Sequence, residues 1–413
     1  MRRLFALLLW LSGLPAAAQT VSTPAELVTA LQQARGGEQI SLAPGDYGRL
    51  ELTQYQRFAV SFPSPVTLRS ADPARPARFS GMALSTAGNL VLEGLDFTAA
   101  YRPGDSLEAT PFRVIDSHAI TFRNNRFTGA LATAGKPEDI GLPTAIGLQI
   151  RSSADITVDG NRIARFYRGL MVVQSDRVAI TENEVVGCRS DGMDFAADQG
   201  LTITGNRIHA FRKETGTYDH PDMIQFWTRG THRPTTDVVI RGNFLLAEGH
   251  GFTQSIFIRN EEVDEGRAGA GMYYRNLTIA DNVIVNAHIH GITVGEADGL
   301  TIRNNNLIHD AASDGRRVNP PLWRPRIEVK ATNRNVTLTG NAAAAVTGPA
   351  GQPDWQVAGN VIIQDTDPGR PGYYDTVFLS PRAGRADDLG RWVYRPGGPL
   401  DGLTAGSPLL RGP

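Results

Sequence analysis

A short phrase recurs along this chain: an apolar strand, a turn, then a second strand that opens on an asparagine. It reads ITVDGNRI (156–163), VAITENEV (178–185), LTITGNRI (201–208), VVIRGNFL (238–245), LTIADNVI (277–284), LTIRNNNL (300–307) and VTLTGNAA (336–343). Its asparagines are Asn161, Asn183, Asn206, Asn243, Asn282, Asn306 and Asn341. The shortest intervals, about 22 to 24 residues, define one structural unit that cannot bury its apolar face alone and must stack on its neighbours. Alternating Ile, Leu, Val and Thr make that unit a β-coil and not a helical hairpin. Asparagine suits a bend because it tolerates left-handed backbone, and stacked asparagines can hydrogen-bond along a ladder. The expected fold is all-β, a parallel β-solenoid.

The first residues, MRRLFALLLWLSGLPAAAQT, have a basic start, an apolar stretch too short to span a bilayer and small residues before Gln19. They read as a signal peptide over 1–18 and predict a secreted or periplasmic protein without a membrane span. Residues 19–413 are expected to form one domain, with coils over about 36–363 and a Gly-, Pro- and Arg-rich tail over 364–413 wrapping the last coil. PAELVTALQQA (24–34) has helical spacing, with Thr23 and Glu26 at capping-box positions, and is placed as a cap on the first coil. Lys plus Arg number 41 against 42 Asp plus Glu, so no basic excess marks a nucleic-acid partner. Cys188 is alone and reads as a small buried residue, so packing and not disulfides must hold the fold. A monomer is expected.

Aligning the strands that precede the asparagine phrases places Ile150, Val172, Phe195, Phe226, Ile258, Val294 and Val329 in one inward column. The outward columns are then Gln149, Met171, Asp194, Gln225, Phe257, Thr293, Glu328 and Arg151, Val173, Ala196, Trp227, Arg259, Gly295, Lys330. An entry column stacks Asp191, Asp222, Gln254 and His290. Loops near 100–113, 129–144, 209–221, 228–236, 260–273 and 309–325 crowd the same coils, as binding faces of solenoids commonly do. One aspartate at a strand entry is usually a turn residue, but three on adjacent coils are unfavourable without a cation or a shared proton.

Three chemistries fit this face. Asp191, Asp194 and Asp222 could hold Ca²⁺ against a uronate carboxylate while a base removes the sugar C5 proton, with Arg259, His220, His290 and Lys330 as proton-transfer candidates. Alternatively, a pair among Asp191, Asp194 and Asp222 performs inverting hydrolysis, one as acid and one as base on water. A zinc site on His220 and Asp222 is the third. Asp194, Gln225, Trp227, Gln254, His250, Tyr273 and Tyr274 are the candidate substrate-binding residues, the aromatic ones as stacking surfaces.

The opening, AELVTALQQARGGEQISLAPGDYGRLEL with VTLRSAD and LVLEGLDFT, resembles chondroitinase B and the related alginate lyases, within the right-handed parallel β-helix proteins of the pectate-lyase type. The resemblance implies secreted, calcium-assisted β-elimination of an acidic, uronate-containing polysaccharide, with a lysine base and an arginine acid. This chain offers Arg259 in SIFIRNE (255–261) where that lysine is expected. A second resemblance, to polygalacturonases, rests on DGMDF, HPDMIQ, Gly249-His250-Gly251 and RIEVK (326–330), and implies hydrolysis. Uronate epimerases share the fold and the C5 proton abstraction. The expectation is a polysaccharide lyase, with a hydrolase, an epimerase or a non-catalytic glycan-binding solenoid as alternatives.

Overall fold

The computed structural model describes residues 19–55, 60–212, 219–248, 253–313, 323–348 and 351–412. The expected signal segment, and His250, therefore lie outside the described residues. Successive coils each lay one strand into three parallel sheets, of 13, 11 and 11 strands. The inward column is in the register derived from the sequence, with Ile150 on Val172, Val172 on Phe195, Phe195 on Phe226, and so on to Val329. All seven of these side chains are buried. Phe195 and Phe226 stack with ring centroids 4.9 Å apart, close to the interstrand spacing.

The asparagine ladder is real and longer than the repeated phrase suggested. It runs Asn125, Asn161, Asn183, Asn206, Asn243, Asn282, Asn305, Asn341, Asn360. Each backbone N–H donates to the next asparagine's Oδ1, as in Asn183 to Asn206 at 3.0 Å, and each Nδ2 reaches a carbonyl of the preceding coil. Asn306 is not a member; Asn305 is. The left-handed residue is the one before the ladder position, at Gly160, Glu182, Gly205, Gly242, Asp281, Asn304, Gly340 and Gly359. In the run of three asparagines, Asn304 therefore takes the positive φ and Asn305 the ladder. Asn306 begins the next strand instead, where its Oδ1 accepts from the Tyr394 hydroxyl at 2.6 Å. A second ladder, Ser117, Ser153, Ser175, Asp198, Thr235, closes another bend of the same coils.

The helix Pro24–Gln33 forms as expected, with Thr23 Oγ1 accepting from the Glu26 N–H at 3.2 Å and the Glu26 carboxylate from the Ser22 N–H at 2.7 Å. It lays Leu27, Ala30 and Leu31 on the end of the core. The first strand is Gln19–Val21, paired with Gln39–Leu42, so the solenoid starts before the helix and not at 36. The tail also departs from expectation. It runs back along the flank of one 11-stranded sheet, where Tyr374, Val377, Phe378, Trp392 and Leu410 pack on Phe244, Leu246, Val283, Val285 and Ile308. The reason is composition: these coils present apolar side chains outward as well as inward, and the tail buries them. Among the described residues no helix is long and apolar enough to cross a membrane.

Candidate functional site

The strand entry of the remaining 11-stranded sheet is bent by small residues. A Cβ on Gly169 would lie 2.5 Å from the Gly192 carbonyl oxygen, and one on Gly192 would lie 2.6 Å from that of Met223. Two consecutive positions, Gly192 and Met193, thus face the interior, and Asp191 and Asp194 emerge on one outer side. One coil further, Asp222 stacks on Asp191: the Asp222 N–H donates to Asp191 Oδ1 at 3.0 Å.

The result is three aspartates with no solvent exposure. Asp191 lies against the Ser190 hydroxyl (3.3 Å), and Asp222 Oδ2 accepts from the Gln225 amide at 2.7 Å. A single guanidinium serves the cluster: Arg168 Nε is 3.4 Å from Asp191 and its NH1 3.5 Å from Asp194, while NH2 reaches Glu108 at 3.5 Å. Both oxygens of Asp194 and Oδ1 of Asp222 have no hydrogen-bond donor among the described residues. Burial pushes the Asp194 and Asp222 carboxyls well above the usual carboxylate range, and the neighbouring Asp191 charge adds to it. Burial also raises Asp191, opposed by Arg168. Charge is short by more than one positive unit here, and protons or a cation must supply it.

His220 borders the cluster, its Nδ1 3.9 Å from Asp222 Oδ2, with its own side chain 69% exposed. Around it, Tyr167 O–H donates to Asp219 (3.1 Å), and Arg189 is held between Asp219 (2.8 Å) and Asp139 (2.7 Å). Burial beside Asp219 lifts the Tyr167 phenol to about 12. This lattice ties the loops that carry Asp139 and Asp219 to Arg189, two residues before Asp191. Arg168, Glu108, Tyr167, Arg189 and Asp219 were not singled out from sequence. Extending the entry column back one coil, from Asp191 in SDGMDF to Arg168 in YRGLMV, would have found the first of them.

The remaining candidates separate. Gln254 is in register with Asp222, its Oε1 buried and without a donor among the described residues. His290, one coil on, is half-buried, shares a hydrogen bond with Thr293 Oγ1 at 2.9 Å and is shifted toward its neutral form by burial. Phe257 meets the His290 ring edge-on at 5.1 Å. Arg259 and Lys330 do not join the aspartates. Arg259 is five residues beyond Gln254 on its strand, about 16 Å away. There it pairs with Asp264 of the one-turn helix Glu261–Asp264 at 3.1 Å, and Lys330 pairs with the same Asp264 and with Glu296 at 3.2 Å. The expected single groove holding Asp191, Asp222, His220 and Arg259 is thus corrected to the first three. Strand length is the reason, since columns aligned across coils can still lie at opposite ends of a strand.

Tyr274 is also removed as a stacking surface. It is buried against Phe226, and its hydroxyl donates to the Arg259 carbonyl at 2.7 Å. Tyr273 is half-buried beside the 13-stranded sheet with the Arg334 guanidinium 5.3 Å from its ring. Trp227 is half-buried at the same strand end as Arg259. Cys188 is buried, as expected.

Ca²⁺ takes six to eight oxygen ligands. Here one oxygen each of Asp191 and Asp222 and a ring nitrogen of His220 lie within 4.8 Å of one another. That set is short of oxygens and includes an imidazole, so it does not fit the calcium site that the family resemblance implied.

A match to a known family agrees with the architecture. The family described as "Right handed beta helix region" matches residues 78–220. No curated protein sequence matches the chain. Among solved structures, PfbA, a surface adhesin of Streptococcus pneumoniae, is similar at 12% identity over 82% of this chain and 88% of its own, with a TM-score of 0.49. A double mutant of the periplasmic alginate epimerase AlgG is similar at 14% identity over 85% of this chain and 73% of its own, with a TM-score of 0.47. The PL6 family alginate lyase AlyGC is similar at 16% identity, and the match covers 86% of this chain but 52% of the lyase, with a TM-score of 0.41. The protein is a right-handed parallel β-helix.

Proposed function

We propose that the protein is an exported enzyme that processes an acidic polysaccharide by taking the C5 proton of a uronate residue, with β-elimination as the outcome. The reading is carried by one observation: His220, open to solvent, borders the three buried aspartates, and the carboxyl of Asp222 stands 3.9 Å behind it. An exposed imidazole backed by a buried carboxylate is oriented and charge-stabilised for taking a proton. Asp222 acts through His220 and is itself held by the Gln225 amide. A proton shared among the three carboxyls leaves less negative charge facing a uronate than three ionised groups would, while one of them stays free to balance a charged His220, and Arg168 adds positive charge to the cluster. Gln254 and His290 extend the polar strip along the helix axis to neighbouring sugar units.

Direct hydrolysis by an aspartate pair is disfavoured, because a carboxyl closed to solvent cannot reach a glycosidic oxygen or activate a water there. An epimerase shares the first step and differs only in returning the proton. The export expectation rests on residues 1–18.

Incubation with polygalacturonate, alginate and chondroitin, followed by absorbance of new unsaturated ends, separates the outcomes. Unsaturated product supports the proposal. New reducing ends without that absorbance would establish hydrolysis. Solvent deuterium incorporated without cleavage would identify epimerisation. Binding with none of these would make the solenoid a glycan-binding module.

A further inference from the structure

The acidic cluster leaves three carboxylate oxygens unanswered inside the fold: Asp194 Oδ1, Asp194 Oδ2 and Asp222 Oδ1. Asp194 has no solvent exposure, and its nearest cation, Arg168, is 3.5 Å away and shared with Asp191 and Glu108. Unsatisfied buried carboxylates are among the costliest features a fold can keep. Their neighbours are donors of a particular kind. One oxygen of Asp191, one of Asp222 and one His220 nitrogen already lie within 4.8 Å of each other, so a small inward movement of the exposed His220 ring brings all three within reach of a single ion.

The geometry points to a binding site for a divalent transition ion of the zinc class, held by Asp191, Asp222 and His220, with the buried Asp194 carboxyl beside it. Two carboxylates and an imidazole match the mixed N/O preference of Zn²⁺ and its three-ligand sites with an open position. The hard, oxygen-only preference of Ca²⁺ is not met. Other elements packed on the site carry Arg168, Arg189, Tyr167, Asp219 and Glu108, and none of them supplies a further cation directly to Asp222.

This inference does not depend on the proposed reaction, but it constrains it. An imidazole nitrogen committed to a metal cannot take a proton, so the ion is expected to act as a brake on turnover.

The test is calorimetric titration of the untagged, metal-stripped protein with Zn²⁺ and, separately, Ca²⁺, repeated on His220→Ala and Asp222→Asn. The expected result is one Zn²⁺ per chain, bound at least about tenfold more tightly than Ca²⁺, with affinity falling by about tenfold or more in each variant. His220 is a surface residue, and unchanged circular dichroism and thermal midpoint establish that its variant is folded. Absence of Zn²⁺ binding, or Zn²⁺ affinity unaltered in His220→Ala, overturns the site. In a preparation active on a uronate polymer, Zn²⁺ should lower the rate and a chelator restore it. Failure of that second arm with the binding arm intact would count against His220 as the base and leave the metal site standing.

Discussion

The two ends of one sheet make the central comparison. At the entry end, Asp191, Asp194 and Asp222 are buried with one arginine among them, and three oxygens are unanswered. At the exit end, Arg259, Lys330, Asp264 and Glu296 alternate in sign and answer each other, with Arg259 and Lys330 converging on Asp264. The two groups sit at opposite ends of one sheet on different coils, and Asp191, Asp194, Asp222, Arg259 and Lys330 all looked like site residues in sequence. Burial and charge balance distinguish them. A balanced cluster behaves as a clamp on the loop it holds, whereas an unbalanced, buried one stores a need for a proton, an ion or a substrate.

The largest expected effect tests the functional half of this contrast. Asp222→Asn should lower kcat/KM on the uronate polymer that is turned over by about 10²- to 10⁴-fold, the range of a lost proton-transfer arrangement. Its thermal midpoint should hold or rise, because a like charge has been removed. A fall in midpoint comparable to a core deletion would mean that Asp222 is structural.

At the exit end the expectation reverses. Asp264→Ala leaves Arg259 and Lys330 without their shared partner and should cost about 1–2 kcal/mol of stability with little change in rate, read by denaturant midpoint and initial velocity.

A pH series sharpens the comparison further. The folded-state pKa values of Asp194 and Asp222 lie well above 3.8, so between that value and the raised one the folded protein binds more protons than the unfolded chain. Stability from this cluster is therefore greatest at low pH and is lost as pH rises above about 4 through the raised values. In chelated buffer, Asp194→Asn should flatten that decline, and the gap in midpoint between variant and wild type should widen with rising pH. A gap independent of pH would contradict proton sharing.

The smallest effect is expected from Arg259→Ala. Its partly exposed pair with Asp264 should contribute less than about 1 kcal/mol, and turnover should change by less than about threefold.

How much of this was legible beforehand follows from what each signal encodes. Strand alternation and the asparagine period are local, so the inward column from Ile150 to Val329 could be aligned residue by residue. Asn306 was misplaced because three consecutive asparagines fit the phrase equally well, and only the backbone turn at Asn304 distinguishes them. Asp191, Asp194, Asp222 and His220 were grouped correctly because adjacent coils stack them. Arg259 and Lys330 were grouped on one face with them, although their column lies five residues along the strand from the entry column, a separation of about 16 Å that counting residues gives. Burial was the least legible property. The aspartates were placed on an outward binding face, whereas all three have no solvent exposure. Tyr274 failed in the same way, as an aromatic residue beside a loop whose ring in fact faces the core.

The measurement that bears most directly on the account compares His220→Ala with Arg259→Ala for release of unsaturated ends from the uronate polymer that the wild type cleaves. The account predicts a nearly silent His220→Ala protein and an Arg259→Ala protein close to wild type. The opposite pattern, full activity without His220 and none without Arg259, would place the chemistry at the exit end and contradict it.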